Sequence, residues 1–358
     1  LWVPRPAPTQ LMCFQMEEQG RMEGDGAESH GESAGVDEFS LIAQLSAILG
    51  PQHGLVGIGD DTAVLDVGGD DLLLATVDMH VENVHFRRSL DPVILGRRLL
   101  AINVSDIAAM GGRPEYGLVS LALPADVPQG YVRGMYQGLR IAGMQYGVSI
   151  VGGNVTSTSG PLAADLTLLG RVSRKAVVRR SGALVGNALA VTGTLGNAAI
   201  LRLACERGWR PRAPVEQQWF DSEIVPHPPA AAAWALAQAA IPTAMMDISD
   251  GLSGDIQHLC AASAVGARLN IRALPVDQVA ITVAESAGVS TEAMALSGGE
   301  DYQLLIALAR EHVEEAAKLI APIALTVVGE ITAQEEGIVV ISADGASRHL
   351  PQGAWRHF

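Results

Sequence analysis

From residue 37 to about residue 341, short apolar runs bounded by glycine or aspartate alternate with segments whose apolar residues recur at helical spacing. Strands bury alternate residues and helices bury a stripe, so interleaving the two stacks helices on sheets and predicts an α/β (or α+β) class. Leu41, Ile42, Leu45, Ile48 and Leu49 predict a first helix, with Ser40 as a candidate cap. Strand-like runs cover 54–67 and 71–86. A helix is expected over 92–110, with Leu95, Leu99, Ile102 and Ile107 on one side. A strand over 116–123, stopped by Pro124, a helix over 129–146 and strands over 148–152 and 161–172 follow. After Arg179-Arg180-Ser181-Gly182 come a strand and glycine turn over 188–196 and a helix over 198–207. Residues 208–229, holding proline and tryptophan, read as irregular. A helix over 230–240, a buried strand over 245–248 and a helix over 251–262 precede the final alternation.

Residues 1–36 stand apart: polar, acidic and without apolar period, they read as a disordered tail or appended remnant. They lack a charged start followed by a long apolar stretch, which argues against a signal peptide. The expected division is therefore 1–36 as tail, 37–172 as a first domain and 173–358 as a second, split at the Arg-Arg-Ser-Gly junction.

Charge narrows the function classes. Against 39 acidic residues stand 24 basic ones, a net of −15, and only Lys175 and Lys318 are lysines. Nucleic-acid binding needs a basic face for phosphates, so it is not expected. No run of about 18 apolar residues is present, so no membrane span is expected. Cys13, Cys205 and Cys260 form no paired motif, which reads as reduced thiols in a cytoplasmic protein rather than a zinc or redox site.

The acidic residues themselves are patterned. Asp60 and Asp61 follow Gly57-Ile58-Gly59, Asp78 closes an apolar run, Asp106 sits in Asn-Val-Ser-Asp-Ile, and Asp247 and Asp250 sit in Asp-Ile-Ser-Asp-Gly with Asp255 beyond. Any one of these suits a cap or a turn. Capping does not require the pattern to recur four times. Two carboxylates ~4 Å apart repel by about 4 kcal/mol at an effective dielectric of 20, and lysine is too scarce here to neutralise them. A hard divalent cation is the economical partner for such oxygens, Mg²⁺ or Ca²⁺ rather than zinc, and Mg²⁺ held by one or two carboxylates usually carries phosphate as well.

The common phosphate and nucleophile signatures are missing: no GxxxxGK[ST] loop, no GxGxxG after a strand, no kinase HRD or DFG set and no GxSxG. Two glycine pairs remain, Val151-Gly152-Gly153-Asn154 and Leu296-Ser297-Gly298-Gly299-Glu300-Asp301-Tyr302. The first reads as a turn. In the second, acids beside a close-approach loop can receive a cationic ligand. His85, in Glu82-Asn83-Val84-His85-Phe86, reads as structural on its own, and Arg180 is placed to reach a phosphate.

At these residues the sequence resembles the thiamine-monophosphate kinase family, within the superfamily of aminoimidazole ribonucleotide synthetase. The stretches that carry the resemblance are DEFSLIAQL, GIGDDTAVL, TVDMHVENVHF, AINVSDIAAMGGRPEY, VGGN, RRSGA, DISDGLSGDI, LSGGEDYQLL and the terminal WRHF, spanning 37–358. The resemblance implies a two-domain fold whose first domain pairs with that of a second copy into a dimer barrel. It implies ATP-dependent phosphorylation of thiamine monophosphate to thiamine diphosphate, in line and without a phosphoenzyme, assisted by several Mg²⁺ ions. By position, it implies Asp61, Thr76, Asp78, Asp106, Asp247 and Asp250 as metal ligands, with Asp106 and Asp250 catalytic. Tyr136, Gly153, Asn154, Arg180 and Ser249 would contact ATP, and His85, Glu300 and Trp355 would hold the thiamine phosphate. Where the family often has Ser-Thr-Asp and Gly-Gly-Asp, this chain has Thr76-Val77-Asp78 and Gly152-Gly153-Asn154, so one ion is expected to bind weakly. The alternatives are another ATP-using synthetase of the superfamily and a catalytically weak nucleotide- or metal-binding paralogue. Selenophosphate synthetase would need a reactive cysteine near Gly57, and the hydrogenase-maturation branch a C-terminal cysteine where this chain has His357-Phe358.

Overall fold

The computed structural model describes residues 38–50, 56–342 and 344–350. The expected tail therefore lies outside the described residues, as does Trp355. Period-two burial organises the first half: every second side chain of β5 (Ala163–Ser173) is buried, and β2 (Asp71–Val81) keeps the same phase through buried Leu72, Leu74 and His80. With β1 (Ala63–Leu65), β3 (Arg113–Pro124) and β4 (Ser149–Thr158) they form a five-stranded sheet in the order β1-β2-β5-β3-β4. Neighbouring strands run antiparallel except β3 and β4, which are parallel. Helix α1 (Glu38–Leu49) precedes the sheet, and Ser40 is its third residue rather than the residue before it.

Two long helices cover one face of this sheet. In α2 (Pro92–Ala109), Asp91 accepts the Val93 N–H at 2.8 Å, and Pro92 occupies a first-turn position where no backbone donor is needed. α3 (Gln129–Tyr146) lies directly against it. The contact is close because Gly96 and Gly138 have no side chains: a Cβ at Gly96 would meet the Met135 carbonyl oxygen at 1.9 Å, and one at Gly138 the Val93 carbonyl oxygen at 2.0 Å.

The second half builds a seven-stranded sheet in the order β12-β11-β8-β10-β6-β9-β7. Its strands are β6 (Ala188–Thr192), β7 (Pro242–Ile248), β8 (Gly266–Asn270), β9 (Gln303–Leu308), β10 (Leu325–Thr332), β11 (Ile338–Ile341) and β12 (Ser347–His349). Helices α4 (Asn197–Glu206), α5 (Pro214–Glu223), α6 (Ala230–Gln238), α7 (Leu252–Ser263), α8 (Gln278–Ala287), α9 (Thr291–Ser297) and α10 (Val313–Leu319) accompany it. The last strand of the first sheet ends at Ser173 and the first of the second begins at Ala188. One apolar core nevertheless runs through both halves, joining Leu95, Leu99 and Ile107 of α2 to Leu236 of α6, Met245 of β7 and Ile306 of β9.

Three readings change. Residues 208–229 are not wholly irregular: α5 forms because the Glu216 carboxylate accepts the Arg212 and Ala213 N–H groups, while Trp219 and Phe220 bury an apolar face. Gly152 and Gly153 do not make a turn. They lie inside β4, where a Cβ at Gly153 would meet the Val119 carbonyl oxygen at 1.8 Å, so the glycine permits a close strand approach. Asp78 lies inside β2 rather than at its end. No described helix is long and apolar enough to cross a membrane.

Candidate active site

The patterned aspartates come from separate elements and meet where α2 passes between the two sheets. Thr76 and Asp78 lie on the face of β2 that turns toward α2. The Thr76 hydroxyl donates to Asp106 Oδ2 at 2.5 Å, and the Asp78 N–H donates to Asn103 Oδ1 at 3.2 Å. Asn103 is itself held by its side-chain amide donating to the Leu99 carbonyl at 2.9 Å. One residue before Asp106, the Ser105 hydroxyl donates across to Asp247 Oδ2 at 2.7 Å, tying α2 to the end of β7. From the loop ahead of β1, Asp61 Oδ1 accepts from Arg180 Nη2 at 2.7 Å, and Asp60 Oδ1 stands 3.4 Å from Arg180 Nε.

These groups feel one another. Burial pushes the Asp61 carboxyl up to about 8 against the pull of Arg180, with Asp247 and Asp60 adding repulsion. Burial pushes Asp247 up to about 6 against the Ser105 hydrogen bond, with Asp78 and Asp250 adding repulsion. Asp106 is raised well above the usual carboxylate range by burial, then by Asp78 and Asp247. Asp255, in the first turn of α7, is 1% exposed and is raised by burial and by Asp250, Asp247 and Asp61. The Asp255 Oδ2 and Asp61 Oδ2 atoms are buried without a hydrogen-bond partner. Buried, mutually repelling carboxyls with orphaned oxygens suit a hard cation. Among the described residues no three acidic, histidine or cysteine side chains are gathered tightly enough to ligate one ion. Mg²⁺, which is often held by one or two carboxylates and completes its shell with water and phosphate, fits that spacing.

The Gly298-Gly299-Glu300 loop lies over the Asp247–Asp250 turn. The Glu300 N–H donates to the Ser249 carbonyl at 2.8 Å and the Tyr302 N–H to the Ile248 carbonyl at 2.8 Å. Both residues sit at positive φ, +68° and +48°, a strained conformation for side-chain-bearing residues that clusters at functional sites. His85 accepts the Val81 N–H on Nδ1 at 3.0 Å, which puts the neutral ring's proton on Nε2. His80, with its ring centroid 5.7 Å from that of His85, is buried and held neutral by burial, then by Arg98 and His85.

Not every expected residue joins this group. Tyr136, Gly153 and Asn154 line a separate open depression with Ile150, Gly152 and Val155. In the sheet, Asp78, Leu166, Val119 and Gly153 stand opposite one another in a row, so Gly153 is three strands, or about 14 Å, from Asp78. Val77 and Asn154, expected to touch one ion, are likewise three strands apart within this chain, in the rows on either side of that one. Sequence reasoning singled out neither Arg98 nor Ser105. Arg98 Nη2 donates to Glu300 Oε1 at 2.5 Å and Nη1 to the Ile224 carbonyl at 3.0 Å. The seven-residue spacing of Arg98 and Ser105, two turns on one helix face, was the available signal.

Fold and site together define an AIR synthase related protein. The N-terminal domain of that description matches residues 59–172 and the C-terminal domain residues 185–342. Over 308 residues the chain is 33% identical to the thiamine-monophosphate kinase of Rhodopirellula baltica, covering 83% of this chain and 90% of that one. With the enzyme of the same name from Escherichia coli it shares 33% identity over 333 residues, 90% of this chain and 98% of the other. The solved complex of AaThiL with AMPPCP and TMP superposes with a TM-score of 0.80 at 32% identity, covering 90% of this chain and 97% of that one. The chain belongs to the thiamine-monophosphate kinase family and is an enzyme of the kinase class. The hydrogenase maturation protein HypE in complex with ATP, at 19% identity and a TM-score of 0.66, shares the fold.

Proposed function

We propose that this chain transfers the terminal phosphoryl group of ATP to the phosphate of thiamine monophosphate, giving thiamine diphosphate and ADP, directly and in line. The observation that carries this reading is the meeting of Asp61, Asp78, Asp106 and Asp247 beside Arg180, in a chain about one-third identical to kinases of that name. Phosphoryl transfer asks little covalent chemistry of a protein and much positioning and charge stabilisation. Asp61, Thr76, Asp78, Asp106, Asp247 and Asp250 would hold several Mg²⁺ ions, which neutralise the charge developing on the transferring group. Asp106 and Asp250 are the carboxylates assigned closest to the reacting phosphates. Thr76 and Ser105 orient Asp106 and Asp247 by the hydrogen bonds they donate.

Arg180 releases Asp61 to pair with a nucleotide phosphate, and Ser249 lies at the turn beneath it. Tyr136, Gly153 and Asn154, in their own depression, are assigned to the other end of the nucleotide. His85 and Glu300 receive the acceptor, whose flat thiazolium cation suits a carboxylate. Trp355, outside the described residues, is assigned to stack on it. Residues 37–172 and 173–358 are the two domains, and the cytoplasm, where ATP is supplied, is the compartment.

The partner of the first domain is a second copy. Val77, Met79, Tyr116, Leu118 and Val151 leave an apolar face on the outer side of the five-stranded sheet, 40–59% exposed. Pairing two such faces would remove that surface from water.

Purified protein given ATP, Mg²⁺ and thiamine monophosphate must release ADP and thiamine diphosphate in equal amounts. ADP without thiamine diphosphate would replace this reading with a different acceptor or a weak paralogue.

A further inference from the structure

Arg98 is a second arginine paired with an acidic residue of the site, through Glu300 rather than through Asp60 or Asp61 as Arg180 is. Its side chain is 12% exposed, and two of its five N–H donors are engaged, one by Glu300 and one by the Ile224 carbonyl. It sits two helical turns before Ser105 on the same face of α2, about 10 Å along the axis from the Ser105–Asp247 hydrogen bond. Glu300, its ion-pair partner, is tied through its backbone to Ser249 of the Asp247–Asp250 turn. A guanidinium and a carboxylate are thus presented together on the acceptor side of the site.

That pairing changes what Glu300 can do. A carboxylate already matched by a guanidinium offers little net attraction to a lone cation. A ligand carrying both a cation and a phosphate meets the pair on equal terms, the cation at Glu300 and the phosphate at Arg98.

We infer that Arg98 reads the phosphate of the acceptor, and that the Arg98–Glu300 pair selects a zwitterionic phosphate monoester over the corresponding alcohol. The inference rests on the proposed acceptor and deepens it. A planar guanidinium forks two hydrogen bonds onto one phosphate, a geometry that a lysine ammonium does not reproduce. An unphosphorylated acceptor would bring only its cation and would leave the Arg98 charge unused.

The test compares Arg98→Met and Arg98→Lys with the unaltered enzyme, titrating thiamine monophosphate and thiamine separately by calorimetry and measuring kcat and KM. Arg98→Met is expected to weaken thiamine monophosphate binding about 30-fold, to leave thiamine binding unchanged or tighter, and to shift the KM for ATP less than 3-fold. Arg98→Lys should recover part of the loss. Equal weakening of both acceptors would mean that Arg98 merely braces the Glu300 loop, and unchanged discrimination would overturn the inference outright. If Arg98→Met does not fold, Arg98→Lys decides, because a narrowed preference supports phosphate reading and an unaltered one refutes it. Turnover by the unaltered enzyme tests the kinase reading separately: its absence refutes the proposed reaction, whereas the two acceptor affinities still report on Arg98.

Discussion

Along β2, successive residues meet opposite fates. Thr76 and Asp78 face α2 and join the buried carboxylates, whereas Val77 and Met79, 56% and 49% exposed, face outward. The same division continues across the sheet, with Leu166 and Val119 fully buried beneath the helices and Leu118 and Tyr116 left on the outer side. The inner face is polar where it meets the second sheet, and its charges are costly unless matched. The outer face is apolar and costs most when exposed. Because its period is two, one sheet can present the proposed chemistry on one side and the proposed association on the other.

The largest effect that separates the faces is expected from Asp106→Asn. Losing that carboxylate should cut thiamine diphosphate formation by about two orders of magnitude or more, while sedimentation still reports a dimer. Loss of the dimer as well would join the two faces into one. The reverse experiment charges the outer face. Val77→Asp with Met79→Lys buries two charges in the proposed contact and should convert dimer to monomer at micromolar concentration, read by light scattering during size exclusion. A persistent dimer would place the contact elsewhere.

A smaller effect comes from pH. The Asp61 and Asp247 carboxyls are raised from 3.8 to about 8 and about 6, so between those limits the folded chain holds more protons than the unfolded one. Their contribution to stability is full below about pH 4 and is lost as pH rises, by about pH 6 for Asp247 and about pH 8 for Asp61. The Tm of chelator-treated protein should accordingly fall from pH 5 to pH 8, and added Mg²⁺ with an ATP analogue should restore most at the alkaline end, where protons compete least. A Tm that rises across that range would show that the inner carboxyls are not buried together. The smallest effect is a control away from both faces. Asp277 accepts the Val279 N–H at 2.6 Å as the cap of α8, and Asp277→Ala should cost about 1 kcal/mol in denaturant unfolding without altering turnover or assembly.

Local pattern determined much of this protein. Alternating and helical periods are read from neighbours in the chain, which is why the long elements α2, α3 and β5 lie close to where the sequence predicts them. The recurrence of aspartate beside glycine, with almost no lysine, likewise singled out carboxylates that the fold brings together. What the sequence could not supply was distance between residues far apart in the chain. Glu216 turning residues 214–223 into a helix was a local signal that the proline and tryptophan of that stretch obscured. The glycines of β4 read as a turn because the carbonyl of Val119 that requires their smallness comes from another strand. Only tertiary structure decided that Arg98 meets Glu300, that Ser105 meets Asp247, and that Tyr136, Gly153 and Asn154 stand apart from the carboxylates. Those pairings depend on how α2 is laid between two sheets, and packing, which acts through space, sets that arrangement.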